Sequence, residues 1–102
     1  MSETQRDLIY IQVEAERLRQ DKLWGEQNHP LGTGGPMREE AAILAKRRTD
    51  KAAETGRLTW GLILEEELAE ALAEIDHQKI RTELIQTIAV AVAMIESLER
   101  SG

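Results

Sequence analysis

The chain has 102 residues, with 19 acidic and 13 basic side chains and a net charge of −6. This length predicts one domain, and the acidic balance argues against nucleic acid as a partner. The absence of cysteine excludes disulfides, a thiol nucleophile and a thiolate metal site. The longest apolar run, residues 88–95, is too short to cross a bilayer, and no secretory signal pattern opens the chain. We therefore expect a cytoplasmic protein without a membrane partner.

The first predicted helix begins at "SETQ", in which Ser2 and Gln5 have the spacing of a capping box. It extends to about Leu23, and Gly25 is its predicted stop. One face of this helix is apolar and carries Leu8, Ile11, Ala15 and Leu18. Residues 25–35 contain four glycines and a proline, which predicts a loop.

Three further helices are predicted from local signals. Pro36 fits the first turn of the second helix, which is expected to end near Gly56. Thr59 is the predicted cap of the third helix, and Asp76 is the predicted cap of the fourth, which extends to about Arg100. The expected apolar faces are Met37, Ala41, Leu44, Ala45 and Ala52 on the second helix, and Trp60, Leu64, Leu68, Ala71 and Ile75 on the third.

The fourth helix is apolar on two sides from Ile88 onward. Such a helix is typically buried on both sides, and a small chain can cover only one of them. We therefore predict an all-α, four-helix bundle-like unit whose fourth helix is buried in the interface of a homodimer or a larger assembly. The expected core face is Leu84, Ile88, Val92 and Ile95, and the expected interface face is Val90, Ala93 and Met94.

The third helix is strongly acidic. Residues 64–74 contain five glutamates, and no lysine or arginine lies between Arg57 and Lys79. Glu67, Glu70 and Glu74 form a stripe beside the expected core face. Like charges three or four residues apart cost roughly 0.2–0.5 kcal/mol per pair. A solvated helix face that tolerates this small penalty is one interpretation, and a cation site is the other.

The fourth helix supports a cation site. Glu83 and Gln86 lie in line with its second apolar face, where an unpaired carboxylate is expensive to bury. Together with Glu67 and Glu70 they offer four oxygen donors. Oxygen ligands without cysteine or a histidine pair suit Mg²⁺ or Mn²⁺. The sequence therefore predicts a magnesium site between the third and fourth helices.

These motifs resemble a known family. The stretch "EELAE", with Glu66, Glu67 and Glu70, is followed twelve residues later by "ELIQ", from Glu83 to Gln86. The pair is similar to the EExxE…ExxD signature of MazG-like nucleotide pyrophosphohydrolases. That resemblance implies one MazG-like domain over residues 1–102, an all-α fold, assembly into dimers or larger oligomers, and Mg²⁺-dependent cleavage of nucleoside triphosphates to monophosphate and pyrophosphate.

The resemblance also implies roles for individual residues. It implies that Glu67, Glu70 and Glu83 are metal ligands and that Glu66 orients or deprotonates the attacking water. Gln86 stands where the signature has aspartate. An amide oxygen can bind Mg²⁺ but adds no charge, so Gln86 is expected to be a weaker fourth ligand, to adjust substrate choice or to mark a protein without catalysis.

Other polar residues are candidates for contact with a nucleotide. The segment "DKLWGEQNHP" contains Lys22, Trp24, Gln27 and Asn28, in which an indole can stack on a base, amides can bind a base edge and an ammonium can meet phosphate. The alternative is that Trp24 closes the end of the bundle and its neighbours form a turn. Arg48, in the basic run "KRR", is a candidate triphosphate contact or a solvated residue. Residues 32–35 are interpreted as a hinge or lid.

Three functions agree with these features. The first is a Mg²⁺-dependent pyrophosphohydrolase acting on a (deoxy)nucleoside triphosphate or a related nucleotide. The second is a catalytically silent helical dimer that binds a nucleotide or a protein partner, with Gln86 as its mark. The third is a helical interaction module whose acidic helix is merely solvated. Metal dependence separates the first two from the third, and turnover separates the first from the second.

Overall fold

The fold, described over residues 4–101 by a computed structural model, is all-α and confirms the predicted class. Its four helices are α1 (Gln5–Trp24), α2 (Pro36–Glu54), α3 (Trp60–Ala73) and α4 (His77–Ser101). The described residues form two compact units, one of residues 4–31 with 95–101 and one of residues 32–94. The end of α4 belongs to the first unit and its beginning to the second. A single domain over residues 1–102 therefore stays a prediction.

Helix α1 begins at a capping box other than the predicted one. The Thr4 hydroxyl accepts a hydrogen bond from the Asp7 backbone N–H at 3.1 Å, and the Asp7 carboxylate accepts one from the Thr4 N–H at 3.1 Å. Ser2, the predicted cap, lies outside the described residues, and Gln5 is the first helical residue. Both pairs have the same spacing, so the pattern alone did not distinguish them. The helix ends before Gly25, as expected.

The predicted boundaries of the other helices are confirmed within two residues. Helix α2 begins at Pro36, whose missing N–H costs nothing in a first turn. The Thr59 hydroxyl and the Asp76 carboxylate each accept a hydrogen bond from the backbone N–H three residues later, at 3.2 and 3.0 Å. These caps satisfy donors that have no partner inside the helix. The connection between α3 and α4 is short, because α3 ends at Ala73 and α4 begins at His77.

Helices α2 and α3 pack against each other in the second unit. Their buried residues are Ala45 and Ala71, which are 3% and 1% exposed. Small side chains at a contact allow two helices to approach closely. The Thr49 hydroxyl donates to the Ala45 carbonyl at 3.0 Å and lies 3.3 Å from the Leu62 carbonyl of α3. This contact fixes α3, the helix that carries the acidic motif, against its neighbour.

Burial along α4 differs from the prediction. Val92 is buried as expected, but Leu84 and Ile88 of the predicted core face are 42% and 47% exposed. The predicted interface residues Val90, Ala93 and Met94 are half-buried, and their part in an interface stays a prediction. The helical wheel identified apolar stripes correctly but did not show which stripe the rest of the chain covers. Ile75, expected on the α3 core face, lies beyond the end of that helix and is 72% exposed.

The glycine segment before α2 is attached to the end of α3. The Gly34 N–H donates to the Leu72 carbonyl at 2.8 Å, which satisfies one of the carbonyls left free at a helix C-terminus. Gly34 has a φ of +83°, and a Cβ added to it would lie 3.2 Å from Cγ1 of Ile75. This attachment gives residues 32–35, interpreted above as a hinge or lid, a defined structural contact at Gly34. No helix among residues 4–101 is long and apolar enough to span a membrane.

We predict that Gly34→Ala lowers the free energy of unfolding more than Gly32→Ala does. Both residues have positive φ, so both alanines incur roughly 1–2 kcal/mol of backbone strain. Only at Gly34 does the added methyl group also meet a side chain, because the Gly32 position has nothing within 4 Å. Chemical denaturation of the two variants and the wild type measures the difference. Equal losses would show that the contact with Ile75 carries no cost.

Candidate metal site

Three carboxylates meet between α3 and α4. Glu67 and Glu70 are three residues apart on α3, so they share one face of that helix. Glu83 belongs to the second turn of α4. One carboxylate oxygen from each of the three residues lies within 4.8 Å of the others. The structure therefore brings together the three carboxylates that the sequence predicted as metal ligands, which we name the carboxylate cluster.

Two oxygens of the carboxylate cluster have no hydrogen-bond partner. Oε2 of Glu67 and Oε2 of Glu83 are buried, and neither accepts a hydrogen bond from any of residues 4–101. A buried acceptor without a donor costs about 1–3 kcal/mol. A divalent cation removes this cost by binding such oxygens directly. The donor set, three carboxylates and no nitrogen or sulfur, fits a hard cation such as Mg²⁺.

The environment of the cluster disfavours negative charge. Burial, followed by the charges of Glu83 and Glu66, raises the pKa of Glu67 above its ordinary value. The pKa of Glu70 is raised by burial and by the charges of Glu67, Glu66 and Glu83. Keeping Glu67 and Glu70 ionised therefore costs free energy in the folded chain without a bound cation. A bound cation would reverse the balance and favour the ionised form.

Glu66 and Gln86, the other two predicted site residues of α3 and α4, differ in burial. Glu66 is half-buried, and its charge contributes to the raised pKa of both Glu67 and Glu70. Glu66 is therefore close enough for its charge to affect the ionisation of Glu67 and Glu70. Gln86 follows Glu83 by nearly one turn of α4, but it is exposed and its side chain has no hydrogen bond within residues 4–101. A role for Gln86 as a fourth ligand stays a prediction.

Lys46 is a charged neighbour that sequence reasoning left in a solvated basic run. Its charge acts on Glu70 and opposes the rise in that carboxyl's pKa. The Nζ of Lys46 lies 3.5 Å from Oδ2 of Asp50, in an exposed pair on α2. Because this neighbourhood depends on the packing of α2 against α3, no spacing along the sequence could have identified it.

Arg48 forms an ion pair with a carboxylate outside the carboxylate cluster. Its Nη2 donates to Oε1 of Glu65 at 2.9 Å, which links α2 to α3. Glu65 is exposed and is not part of the carboxylate cluster. The sequence left Arg48 as a candidate triphosphate contact or a solvated residue. The structure shows it exposed in this ion pair, and its contact with a triphosphate stays a prediction.

The other predicted nucleotide contacts belong to the first unit. Trp24 and Gln27 line a cavity of about 710 Å³ together with Arg17 and Asp21. Trp24 is 62% exposed. Arg17 donates to the Asp21 carboxylate at 2.8 Å, so this cation of the cavity is already paired.

Two residues of the loop segment lie outside the lining of that cavity. Asn28 donates to the Glu26 carboxylate at 3.1 Å, which occupies part of its amide. Lys22 is exposed in the last turn of α1, where a cation complements the helix dipole. The nucleotide-binding roles of Lys22, Trp24, Gln27 and Asn28 therefore stay predictions.

Comparison of the chain with protein-family models, with curated proteins and with solved structures found no match. The assignment of a function consequently depends on the geometry of the carboxylate cluster and on the motifs that form it.

We predict that Glu70→Gln raises the melting temperature of the metal-free protein at pH 8. The substitution removes three repulsions, which are worth roughly 0.2–0.5 kcal/mol each on a helix surface, and one smaller attraction, to Lys46. A gain of about 1 kcal/mol corresponds to about 4–8 °C in a domain of this size. Glu65→Gln is the matched control, because it removes an exposed ion pair and should leave the melting temperature unchanged or slightly lower.

The gain should depend on pH with a definite sign. Because the pKa of Glu70 is raised in the folded state, that state binds more protons than the unfolded state between the ordinary value of about 4.5 and the raised one. The contribution of Glu70 to stability therefore falls as pH rises through this interval and stays low above it. The advantage of Glu70→Gln should vanish as the pH falls below 4.5. An advantage that is independent of pH would argue against charge repulsion as its cause.

Proposed function

We propose that the protein is a Mg²⁺-dependent nucleotide pyrophosphohydrolase that hydrolyses a (deoxy)nucleoside triphosphate or a related nucleotide to a monophosphate and pyrophosphate. The observation that carries the proposal is the carboxylate cluster, in which three oxygens from α3 and α4 lie within 4.8 Å and two buried oxygens have no partner. The similarity of "EELAE" and "ELIQ" to the MazG-like signature supports the same reaction.

The residues of the cluster suit this chemistry. A divalent cation held by the cluster would supply the positive charge that a triphosphate needs as its phosphorus–oxygen bond breaks. Glu67, Glu70 and Glu83 would hold it, with Gln86 as a weaker fourth donor. No protein nucleophile is needed, because water attacks the phosphorus. Glu66 is close enough to the cluster for its charge to act on two of the ligands, which supports its role in accepting the proton of that water.

We predict that Glu67→Gln abolishes the release of pyrophosphate while the protein stays folded. The substitution removes a ligand charge, and it also removes a repulsion rather than a core contact. Loss of a direct ligand should exceed the roughly 10–100-fold that residues orienting a ligand typically contribute. Glu65→Gln, on the exposed side of the same helix, should retain wild-type turnover. The measurement is pyrophosphate release from a panel of nucleotides over a range of Mg²⁺ concentrations. Full activity of Glu67→Gln would overturn the assignment of this site.

A second function, a silent dimer that binds a nucleotide or a protein partner, is favoured by one observation. Gln86 is both uncharged and exposed, so the cluster has three negative charges rather than four. Gln86→Asp separates the two functions. In an active enzyme it should tighten Mg²⁺ binding and raise activity at low Mg²⁺, whereas in a silent protein it should tighten Mg²⁺ binding without turnover.

We also propose that the protein is a homodimer or a larger assembly in which a second copy packs against α4. Leu84, Ile85 and Ile88 are 42%, 51% and 47% exposed and lie within two turns of this helix. Adjacent exposed apolar residues of this kind mark protein interfaces. These exposed residues would extend the predicted interface of Val90, Ala93 and Met94 toward the start of α4.

We predict that Ile88→Asp converts the assembly to monomers that remain helical, because the interface would bury an unpaired charge whereas the monomer leaves it in water. Met37→Asp is the control, since Met37 is 86% exposed in the first turn of α2, where a carboxylate is favourable. Sedimentation velocity at micromolar concentration measures the state of each variant. A monomeric wild type under these conditions would contradict the proposed assembly.

A further inference from the structure

A cleft of about 400 Å³ adjoins the carboxylate cluster at the junction of α3 and α4. It is lined by Glu74, Gln78, Lys79, Thr82 and Glu83. Glu83 is therefore shared between the cleft and the cluster, so a ligand in the cleft would lie beside a metal ligand. The volume is within the range of about 300–1,000 Å³ that small-molecule sites occupy.

The cleft has one cation, the Lys79 ammonium. Lys79 precedes Glu83 by four residues on α4, a spacing at which opposite charges often pair. The Lys79 ammonium nevertheless makes no ion pair within 4.0 Å with any of residues 4–101. Two cations of α2 are paired, since Lys46 lies 3.5 Å from the Asp50 carboxylate and Arg48 lies 2.9 Å from that of Glu65. Lys79 is thus the cation of the cleft and has no ion-pair partner there. Glu83 lines the same cleft and also belongs to the carboxylate cluster.

The backbone and the remaining polar groups define how the cleft presents this cation. The backbone N–H of Lys79 donates to the Asp76 carboxylate at 3.0 Å, so the first turn of α4 is capped. The Thr82 hydroxyl donates to the Gln78 carbonyl at 3.0 Å, so its proton is already used. The donors left for a ligand are the Lys79 ammonium and the Gln78 side-chain amide.

The charges of the cleft select a ligand that is itself of mixed charge. A free anion would meet Lys79 but also the carboxylates of Glu74 and Glu83, which repel it. A polyphosphate that carries a divalent cation satisfies both sides, because its metal faces the carboxylates and its free oxygens face the ammonium. A single lysine suits this task, because its ammonium binds phosphate oxygens as a point charge.

We propose that this cleft binds the pyrophosphate portion of the metal-bound nucleotide and that Lys79 is its phosphate-binding residue. The inference rests on the proposed function, which supplies the metal and the triphosphate. It adds a residue outside both acidic motifs and assigns the polyphosphate to the side of the cluster that faces the α3–α4 junction.

The test compares the wild type with Lys79→Gln, Lys79→Arg and Arg81→Gln. Arg81→Gln is the matched control, because it removes one positive charge from an exposed position of the same helix that does not line the cleft. Calorimetric titration with pyrophosphate in saturating Mg²⁺ measures phosphate binding. Titration with Mn²⁺ alone, followed by its paramagnetic resonance, measures the metal site separately.

Lys79→Gln should weaken pyrophosphate binding by about tenfold, in keeping with the loss of a hydrogen bond to a charged group. It should leave Mn²⁺ binding within about twofold, Lys79→Arg should restore most of the affinity, and Arg81→Gln should bind both ligands like the wild type. Unchanged pyrophosphate binding in Lys79→Gln, or an equal loss in Arg81→Gln, would overturn the role of Lys79.

The same two titrations separate failure of the cleft from failure of the metal site. A wild type that binds Mn²⁺ but not pyrophosphate would overturn the cleft alone. A wild type that does not bind Mn²⁺ at all would overturn the proposed function, and the cleft proposal with it.

Discussion

The crowding of three carboxylates in a half-buried place is the constraint on which the candidate site depends. Glu67, Glu70 and Glu83 are held within 4.8 Å by two helices whose ends are fixed by separate caps. In the metal-free chain this arrangement raises the free energy of the folded state as long as the carboxylates are ionised. Such local conflicts between stability and structure are typical of functional sites.

The sequence predicted those parts of the fold that depend on local chemistry. Thr59 and Asp76 cap their helices as expected, because capping requires only a suitable side chain three residues before a free N–H. Glu67 and Glu70 share a face because their spacing in a helix requires it. The approach of Glu83 was inferred from its place in line with an apolar face of the fourth helix, where a carboxylate needs a partner. These are relations within one helix or between sequence neighbours.

Contacts between elements distant in the sequence could not be predicted from local sequence patterns. The ion pair of Arg48 with Glu65 and the effect of Lys46 on Glu70 both arise from the packing of α2 against α3. An exposed Ile88 beside a buried Val92 shows that a helical wheel identifies faces without identifying their partners. Sequence reasoning did not single out Lys79, because neither the cleft that it lines nor its lack of an ion pair is visible in the sequence.

The composition of the buried set has a consequence for the energetics of unfolding. Among residues 4–101 only Ile9, Ala45, Ala71, Ile80 and Val92 are buried, and two of these are alanines. The heat-capacity increment of unfolding and the denaturant m-value both scale with the surface that unfolding exposes. A chain that removes so little apolar surface from water by itself should have small values of both for its length, and its stability curve should be correspondingly flat with temperature.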